Sequence, residues 1–303
     1  MQTTSNIELL HTGAAETSRD PKPKKPFILP AVQFIFRILG NIAPDKAADV
    51  AYYFFTRPRM RARHNVSDPL LESARVGEFL YGKILLKTYE WGAGEQTVLL
   101  VHGWESRGTA LRSFVPGLVE NGFKVVTFDA PAHGDSGGKW TNLPNYAGAI
   151  KAMINRVGGV YGVITHSFGG IAAVYAAGKL DNKIEFEKMV MLAVPLTVDA
   201  ILDETIRTLK MPPKAGARFK MKIEKIAKSP VAQLAIPQIE VGGQIKETLM
   251  IHDEKDKVVP LEYAKQIARK WQTSRLLITK GLGHYRLMKH PIVIQKVTEF
   301  ITN

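Results

Sequence analysis

Ser167 is the residue whose setting calls most directly for chemistry. The apolar run Gly162-Val163-Ile164-Thr165-His166 ends on it, and the small-residue run Phe168-Gly169-Gly170-Ile171-Ala172-Ala173-Val174 follows. That pattern reads as a strand, a sharp turn with the serine at its apex, and a helix. Such a turn exposes the hydroxyl at the positive end of a helix dipole, where developing oxyanion charge is favoured. A serine hydroxyl is a weak nucleophile unaided. It needs a base to take its proton and a carboxylate to orient that base.

The elements around this turn must bring such partners to it. Strand patterns recur at Ile84-Leu85-Leu86, Val98–Val101, Lys124–Asp129, 160–165 and Met189–Val194, with helical patterns at 109–121, 144–157 and 168–180 between them. The alternation predicts an α/β fold with a mostly parallel, doubly wound sheet and helices on both faces. It breaks after Pro195, where 197–243 reads as helical and basic. It resumes with a strand at 247–251, a helix at 261–271, a strand at 275–279 and a helix at 290–301. In such sheets functional groups gather past the carboxyl ends of the strands. There the chain offers His252, Asp253, Glu254 and Asp256 after one strand, and His284 in Gly281-Leu282-Gly283-His284-Tyr285 after the next. His290 is a second candidate base.

Four motifs in order resemble the α/β-hydrolase superfamily over roughly residues 80–303. They are Val101-His102-Gly103-Trp104, Phe128-Asp129-Ala130-Pro131-Ala132-His133-Gly134-Asp135-Ser136, Thr165-His166-Ser167-Phe168-Gly169, and Asp256-Lys257-Val258-Val259-Pro260 followed by Gly283-His284. The resemblance implies Ser167 as nucleophile, His284 as general base and Asp256 as its partner. It also implies an oxyanion hole from the backbone N–H groups of Trp104 and Phe168. His102, Gly103, Trp104 and His166 are expected around the substrate pocket. The elbow departs from the family pattern at Thr165, where glycine is usual and a β-branch takes up room. Serine rather than aspartate at the apex argues against the carboxylate-nucleophile branches of the superfamily.

Gly134-Asp135-Ser136-Gly137-Gly138 matches the nucleophile string of chymotrypsin-like proteases, but those are all-β. Here it reads as a structural turn. The histidines near strand ends form no HxxxH or HxH pair backed by carboxylates, so no metal is expected.

The chain has 303 residues, a net charge of +13 and no cysteine, which excludes disulfides, thiolate catalysis and cysteine-ligated metals. No secretory signal is read in Met1–Thr17, and a cytoplasmic location is expected. Residues 1–26 read as a disordered arm and 27–75 as an N-terminal helical segment packed on the core. Residues 76–196 and 244–303 form the core, and 197–243 an inserted helical lid. Phe27–Ala43 spans 17 residues, at the lower limit for a membrane span, and Pro30, Gln33, Arg37 and Asn41 interrupt it. It reads as an amphipathic helix whose apolar face covers the catalytic domain. Lys22, Lys24 and Lys25 also open a weak peripheral contact of residues 22–43 with an anionic inner membrane surface. Arg57, Arg59, Arg61 and Arg63 are expected on a solvated face.

Cations of the insertion (Arg207, Lys210, Lys214, Arg218, Lys220, Lys222, Lys225 and Lys228) could attract an anionic substrate or simply face solvent. They lack an interleaved stacking platform, so no nucleic-acid partner is expected. The function expected is hydrolysis of a small-molecule carboxylic ester, or a thioester, through an acyl-enzyme on Ser167 and without a cofactor. The alternative is a ligand-binding or membrane-docked protein on the same scaffold with little or no turnover.

Overall fold

The computed structural model describes residues 6–11, 27–62, 68–180, 184–241 and 243–303. The strands are β1 (Ile7–Leu9), β2 (Arg75–Tyr81), β3 (Ile84–Trp91), β4 (Thr97–Val101), β5 (Lys124–Phe128), β6 (Gly162–His166), β7 (Phe186–Leu192), β8 (Ile245–Asp253) and β9 (Ser274–Thr279). The helices are α1 (Leu29–Ile42), α2 (Pro44–Phe55), α3 (Pro69–Glu72), α4 (Val115–Glu120), α5 (Leu143–Val157), α6 (Phe168–Tyr175), α7 (Val198–Leu209), α8 (Pro213–Ala227), α9 (Leu261–Lys270), α10 (Gly283–Arg286) and α11 (Pro291–Thr302).

One nine-stranded sheet runs in the order β1-β9-β8-β7-β6-β4-β5-β3-β2. Only the β2–β3 and β3–β5 pairings are antiparallel among the described strands. The expected α/β class and mostly parallel sheet are therefore observed. β4 and β6 are buried at every position, because an apolar core lies on each face. One core packs α5, α6 and α9 on the sheet, and the other packs α4 and α11. From β4 the chain passes to β5 on one side, and β6 flanks β4 on the other. That reversal opens a crevice between the carboxyl ends of β4 and β6.

Local chemistry sets the helix ends. Asn142 caps α5 by accepting from the Asn145 N–H at 2.9 Å, and Gly158, at φ 79°, closes it in the left-handed region. The helix expected over 109–121 begins instead as a 3₁₀ turn, Gly108–Phe114, and continues as α4.

One expectation about the N-terminal region needs correction. Ile7–Leu9, in the arm read as disordered, adds a parallel edge strand to β9, and Asn6 C=O and Leu10 N–H extend its ladder. The arm's polar composition hid three residues that pair through their backbone. Residues 27–75 are expected to pack on the core, and Phe36, Ala47, Ala48 and Ala51 are buried in a core cluster. α1 and α2 also pack against the inserted α7 and α8. Gly40 lies where a Cβ would come 2.5 Å from Pro212 Cδ, and Phe55 meets Phe219 edge-on at 5.5 Å. Gln33 donates to the Thr208 carbonyl oxygen at 2.8 Å, and Lys222 pairs with Asp49 at 2.7 Å. The region also reaches the core, since the Thr141 N–H donates to Thr56 C=O at 2.8 Å. Two segments remote in sequence thus form one helical layer, which a linear reading had separated.

Phe36 is the fully buried anchor of α1 in this layer. Phe36→Ala is expected to cost about 3–5 kcal/mol and to lower the Tm of the whole protein in one transition. An unchanged Tm would show that the N-terminal helices are a loose appendage.

Candidate active site

Ser167 ends β6 and precedes α6 with φ 52° and ψ −127°, a backbone conformation in which a side chain is strained. The turn is clamped on both sides. Its N–H donates to Leu192 C=O at the end of β7 at 2.9 Å. On the other side, a Cβ on Gly169 would fall 2.4 Å from the His102 carbonyl oxygen, so only glycine lets helix and loop approach. A Cβ on Gly170 would fall 2.4 Å from Val194 Cγ2. The same Cβ on Gly170 would lie 3.1 Å from Thr165 Oγ1, so this glycine leaves room beside the threonine that replaces the usual elbow glycine. Thr165 fits because it is fully buried with its hydroxyl donating to Val190 C=O at 2.8 Å.

Asp256 and His284 meet past the ends of β8 and β9. His284 Nδ1 donates to Asp256 Oδ2 at 2.8 Å, and neither side chain is more than 2% exposed. The other carboxylate oxygen, Oδ1, accepts the Val258 and Val259 N–H groups at 2.7 and 2.9 Å. Burial pushes the Asp256 pKa up. The His284 hydrogen bond, its charge and the two N–H groups outweigh that and hold the carboxyl below the usual value. The rival acid Asp253 is fully buried and holds the base loop instead. It accepts from Thr279 Oγ1 at 2.8 Å, Leu282 N–H at 2.7 Å and Lys255 N–H at 2.9 Å. His290, the rival base, sits at the N-cap of α11. His166 joins elbow to base loop, with Nε2–H donating to His284 C=O at 3.0 Å and the two rings 4.7 Å apart.

The loop after β4 presses on the serine, since a Cβ on Gly103 would lie 3.1 Å from Ser167 Cβ. His102 Nε2 accepts the Ala130 N–H at 3.0 Å, so the proton is on Nδ1, which donates to Gly103 C=O at 2.7 Å. Within the trans Gly103–Trp104 peptide the N–H points opposite to that carbonyl. His102 therefore fixes the aim of the Trp104 N–H. His102, expected around the substrate pocket, is instead fully buried with both ring nitrogens engaged. Tyr146 holds the preceding peptide, donating its hydroxyl to His102 C=O at 2.7 Å. The Trp104 ring, half-buried, meets Phe168 and His133 edge-on at 5.6 and 5.1 Å.

Sequence reasoning missed Tyr146 and Glu105, and gave Asp129 only as part of a turn motif. Tyr146 follows the apolar register of α5 and reads as core. Buried Asp129 ties two loops together by accepting Gly108 N–H at 2.7 Å and Asp135 N–H at 2.9 Å. Glu105, beside Trp104, accepts Arg59 N–H and Nε–H at 2.8 and 3.1 Å. Arg59 and Arg61 are exposed, as a solvated face requires, yet each is engaged. Arg59 grips the Trp104 loop, Arg61 donates to Ser136 C=O at 2.7 Å, and Arg57 lies over the Tyr53 ring at 3.6 Å. Isolated sequence spacing carries no sign of these distant partners. Arg63, Lys22, Lys24 and Lys25 lie outside the described residues.

Ser136 is a structural hydroxyl, donating to Asp129 C=O at 2.6 Å and accepting Lys87 N–H at 2.8 Å. Among the described residues no group of three His, Cys, Asp or Glu is placed to hold a metal ion. Burial, with the neighbouring histidine's charge, lowers the pKa of both His133 and His166 to about 3. Burial lowers His102 and His252 as well. Neutral imidazoles therefore surround the Asp256–His284 pair.

The sheet order, the strained serine turn and the acid–histidine pair at the strand ends describe an α/β-hydrolase site. Residues 98–294 match the alpha/beta hydrolase family, and the chain belongs to it. Protein ABHD12B of Homo sapiens is 27% identical over 224 residues, which cover 69% of this chain. The match spans 61% of that relative's length. An esterase of Pyrococcus furiosus has the same fold, with 20% identity and a TM-score of 0.59 over 80% of this chain and 97% of that one. A bacterial membrane phospholipase A does too, with 15% identity and a TM-score of 0.57 over 91% of this chain and 97% of that one.

Because His133 and His166 are neutral when folded and protonated when unfolded, stability falls as pH drops from 6.5 towards 3. For the pair the loss is about 2–4 kcal/mol by pH 5, or roughly 5–15 °C in Tm. Thermal melts from pH 8 to pH 5 measure it, and a level Tm would refute the neutral, buried histidines.

Proposed function

We propose that this protein is a serine hydrolase that cleaves a carboxylic ester, or less readily a thioester, through an acyl-enzyme on Ser167. The observation that carries the reading is the 2.8 Å His284–Asp256 hydrogen bond at the strand ends, joined through His166 to the serine turn. His284 Nδ1–H is committed to the carboxylate, so the lone pair of Nε2 is the group that takes a proton. As His284 removes the Ser167 proton, Oγ attacks the carbonyl carbon. The oxyanion is held by the Trp104 and Phe168 N–H groups. The leaving alkoxide departs with the proton from His284. Water, deprotonated by the same imidazole, then releases the acid. Asp256 stays ionised throughout and stabilises the imidazolium. No cofactor is needed for these steps.

An ester is favoured because nothing beyond acid–base and oxyanion help is called for, and two structural neighbours are named as an esterase and a phospholipase A. The substrate is a small molecule that enters beneath the α7–α8 insertion, acting as a lid, with Trp104 as a pocket wall and His166 and Gly103 at its floor. The same scaffold without turnover, as a ligand-binding protein, is the reading the test must separate.

Turnover of p-nitrophenyl esters from acetate to laurate, with fluorophosphonate labelling alongside, is the test. Chain-length-dependent turnover and labelling are expected, both abolished in Ser167→Ala. If the wild type neither labels nor turns over, the binding reading replaces this one.

Asp256→Asn should lower kcat by about 10³–10⁴-fold with little change in KM, since the imidazole loses its orienting charge. Tyr146→Phe removes one support of the oxyanion loop rather than a donor. It should lower kcat by roughly tenfold, below the 10²–10³ typical of losing an oxyanion donor. An equal loss in KM instead would place Tyr146 in substrate binding.

A further inference from the structure

α1 is apolar almost all round, a pattern that belongs to helices buried on every side. Its inward residues Val32, Phe36 and Leu39 do pack on the molecule. Its outward residues do not. Phe27, Ile28, Phe34, Ile35, Ile38 and Ile42, at helical spacing on and just before α1, are between 45% and 100% exposed. A contiguous stripe of this kind is unusual on a protein surface and marks an interaction site. Gln33, Arg37 and Asn41 recur every four residues and form a polar flank beside it.

Charge selects the partner. Residues 27–62 and 197–243, which build this helical layer, carry thirteen Lys and Arg against seven Asp and Glu. Asp45 pairs with Arg218 at 3.3 Å and Asp49 with Lys222 at 2.7 Å, which matches acid to cation and leaves the layer's surplus of six positive charges (13 minus 7) unchanged. Arg37 stays exposed on the rim of the stripe. Two other occupants fit poorly. The preceding segment 12–26 contains no Val, Ile, Leu, Met or aromatic residue to bury against the stripe. A second copy would bring its own positive layer and a net charge of +13 against the first.

We propose that the outward face of α1 docks on an anionic lipid bilayer, with the stripe among the acyl chains and the surrounding cations on the lipid phosphates. The helix lies in the interface rather than across it. Its 14 residues rise about 21 Å, short of the ~30 Å hydrocarbon core. Among the described residues no helix is long and apolar enough to cross a membrane. Anionic lipid attracts the cations, and apolar burial retains the helix, a two-part signal that either half alone leaves weak. Docking does not depend on the hydrolase reading. Arg59 and Glu105 link the end of α2 to the Trp104 loop, so the docked layer is continuous with the wall of the active site.

The test is co-sedimentation of the full chain with vesicles of phosphatidylcholine alone or with 30 mol% phosphatidylglycerol (about a third anionic lipid). Wild type is expected to bind the anionic vesicles, and to bind them at least about tenfold less at 0.5 M salt. The triple variant Phe34→Ser, Ile38→Ser, Ile42→Ser changes exposed positions only. It should lose at least about tenfold in binding while keeping the wild-type Tm. Equal binding by variant and wild type, or no binding by wild type, overturns the proposal. So does a wild-type dimer that the triple variant dissolves without any vesicle binding, which would make the face a self-interface.

Discussion

The site depends on one backbone constraint: Ser167 is held in a left-handed conformation that its own side chain disfavours. Such strain persists only where the surroundings over-determine it. Here the Leu192 carbonyl fixes the serine N–H from β7, and Gly103 and Gly169 let the β4 loop and α6 close on it from the other side. Every later feature inherits this geometry. The turn ends the run of β6 and opens α6 directly behind the serine. It also brings the Trp104 peptide, aimed by His102 and supported by Tyr146, alongside.

The described site carries several imidazoles, and burial holds His102, His133, His166 and His252 neutral. Each neutral ring spends its proton on a backbone carbonyl of a neighbouring loop. These rings position backbone; His252 Nε2 also lies 3.6 Å from Asp256 Oδ2, but its proton goes to Val259 C=O at 2.8 Å. Under the proposed mechanism, the ion pair formed when His284 accepts a proton is the one change of charge these surroundings would receive. In a water-poor setting that change interacts strongly with fixed dipoles.

The central sheet and the turn at Ser167 were legible because both rest on local pattern. Apolar runs on both faces mark β4 and β6, and the small residues after Ser167 mark the turn. What escaped is what depends on pairing across the chain. β1 is a three-residue strand held by backbone bonds to β9, with no periodicity to announce it. Tyr146 looks like any core aromatic until its hydroxyl is seen on His102 C=O. Arg59 and Arg61 look like surface cations until their partners 46 and 75 residues away are placed. The association of α1–α2 with α7–α8 joins segments about 170 residues apart, and only tertiary packing reveals it.

The central claim is that the strained serine and the two backbone N–H groups beside it form one oxyanion-binding unit. A crystal structure of the protein after reaction with an alkyl fluorophosphonate tests it most directly. The account predicts phosphorus bonded to Ser167 Oγ, with the phosphoryl oxygen within hydrogen-bond distance of the Trp104 and Phe168 N–H groups. Phosphorus on another residue, or a phosphoryl oxygen turned away from both N–H groups, would contradict it.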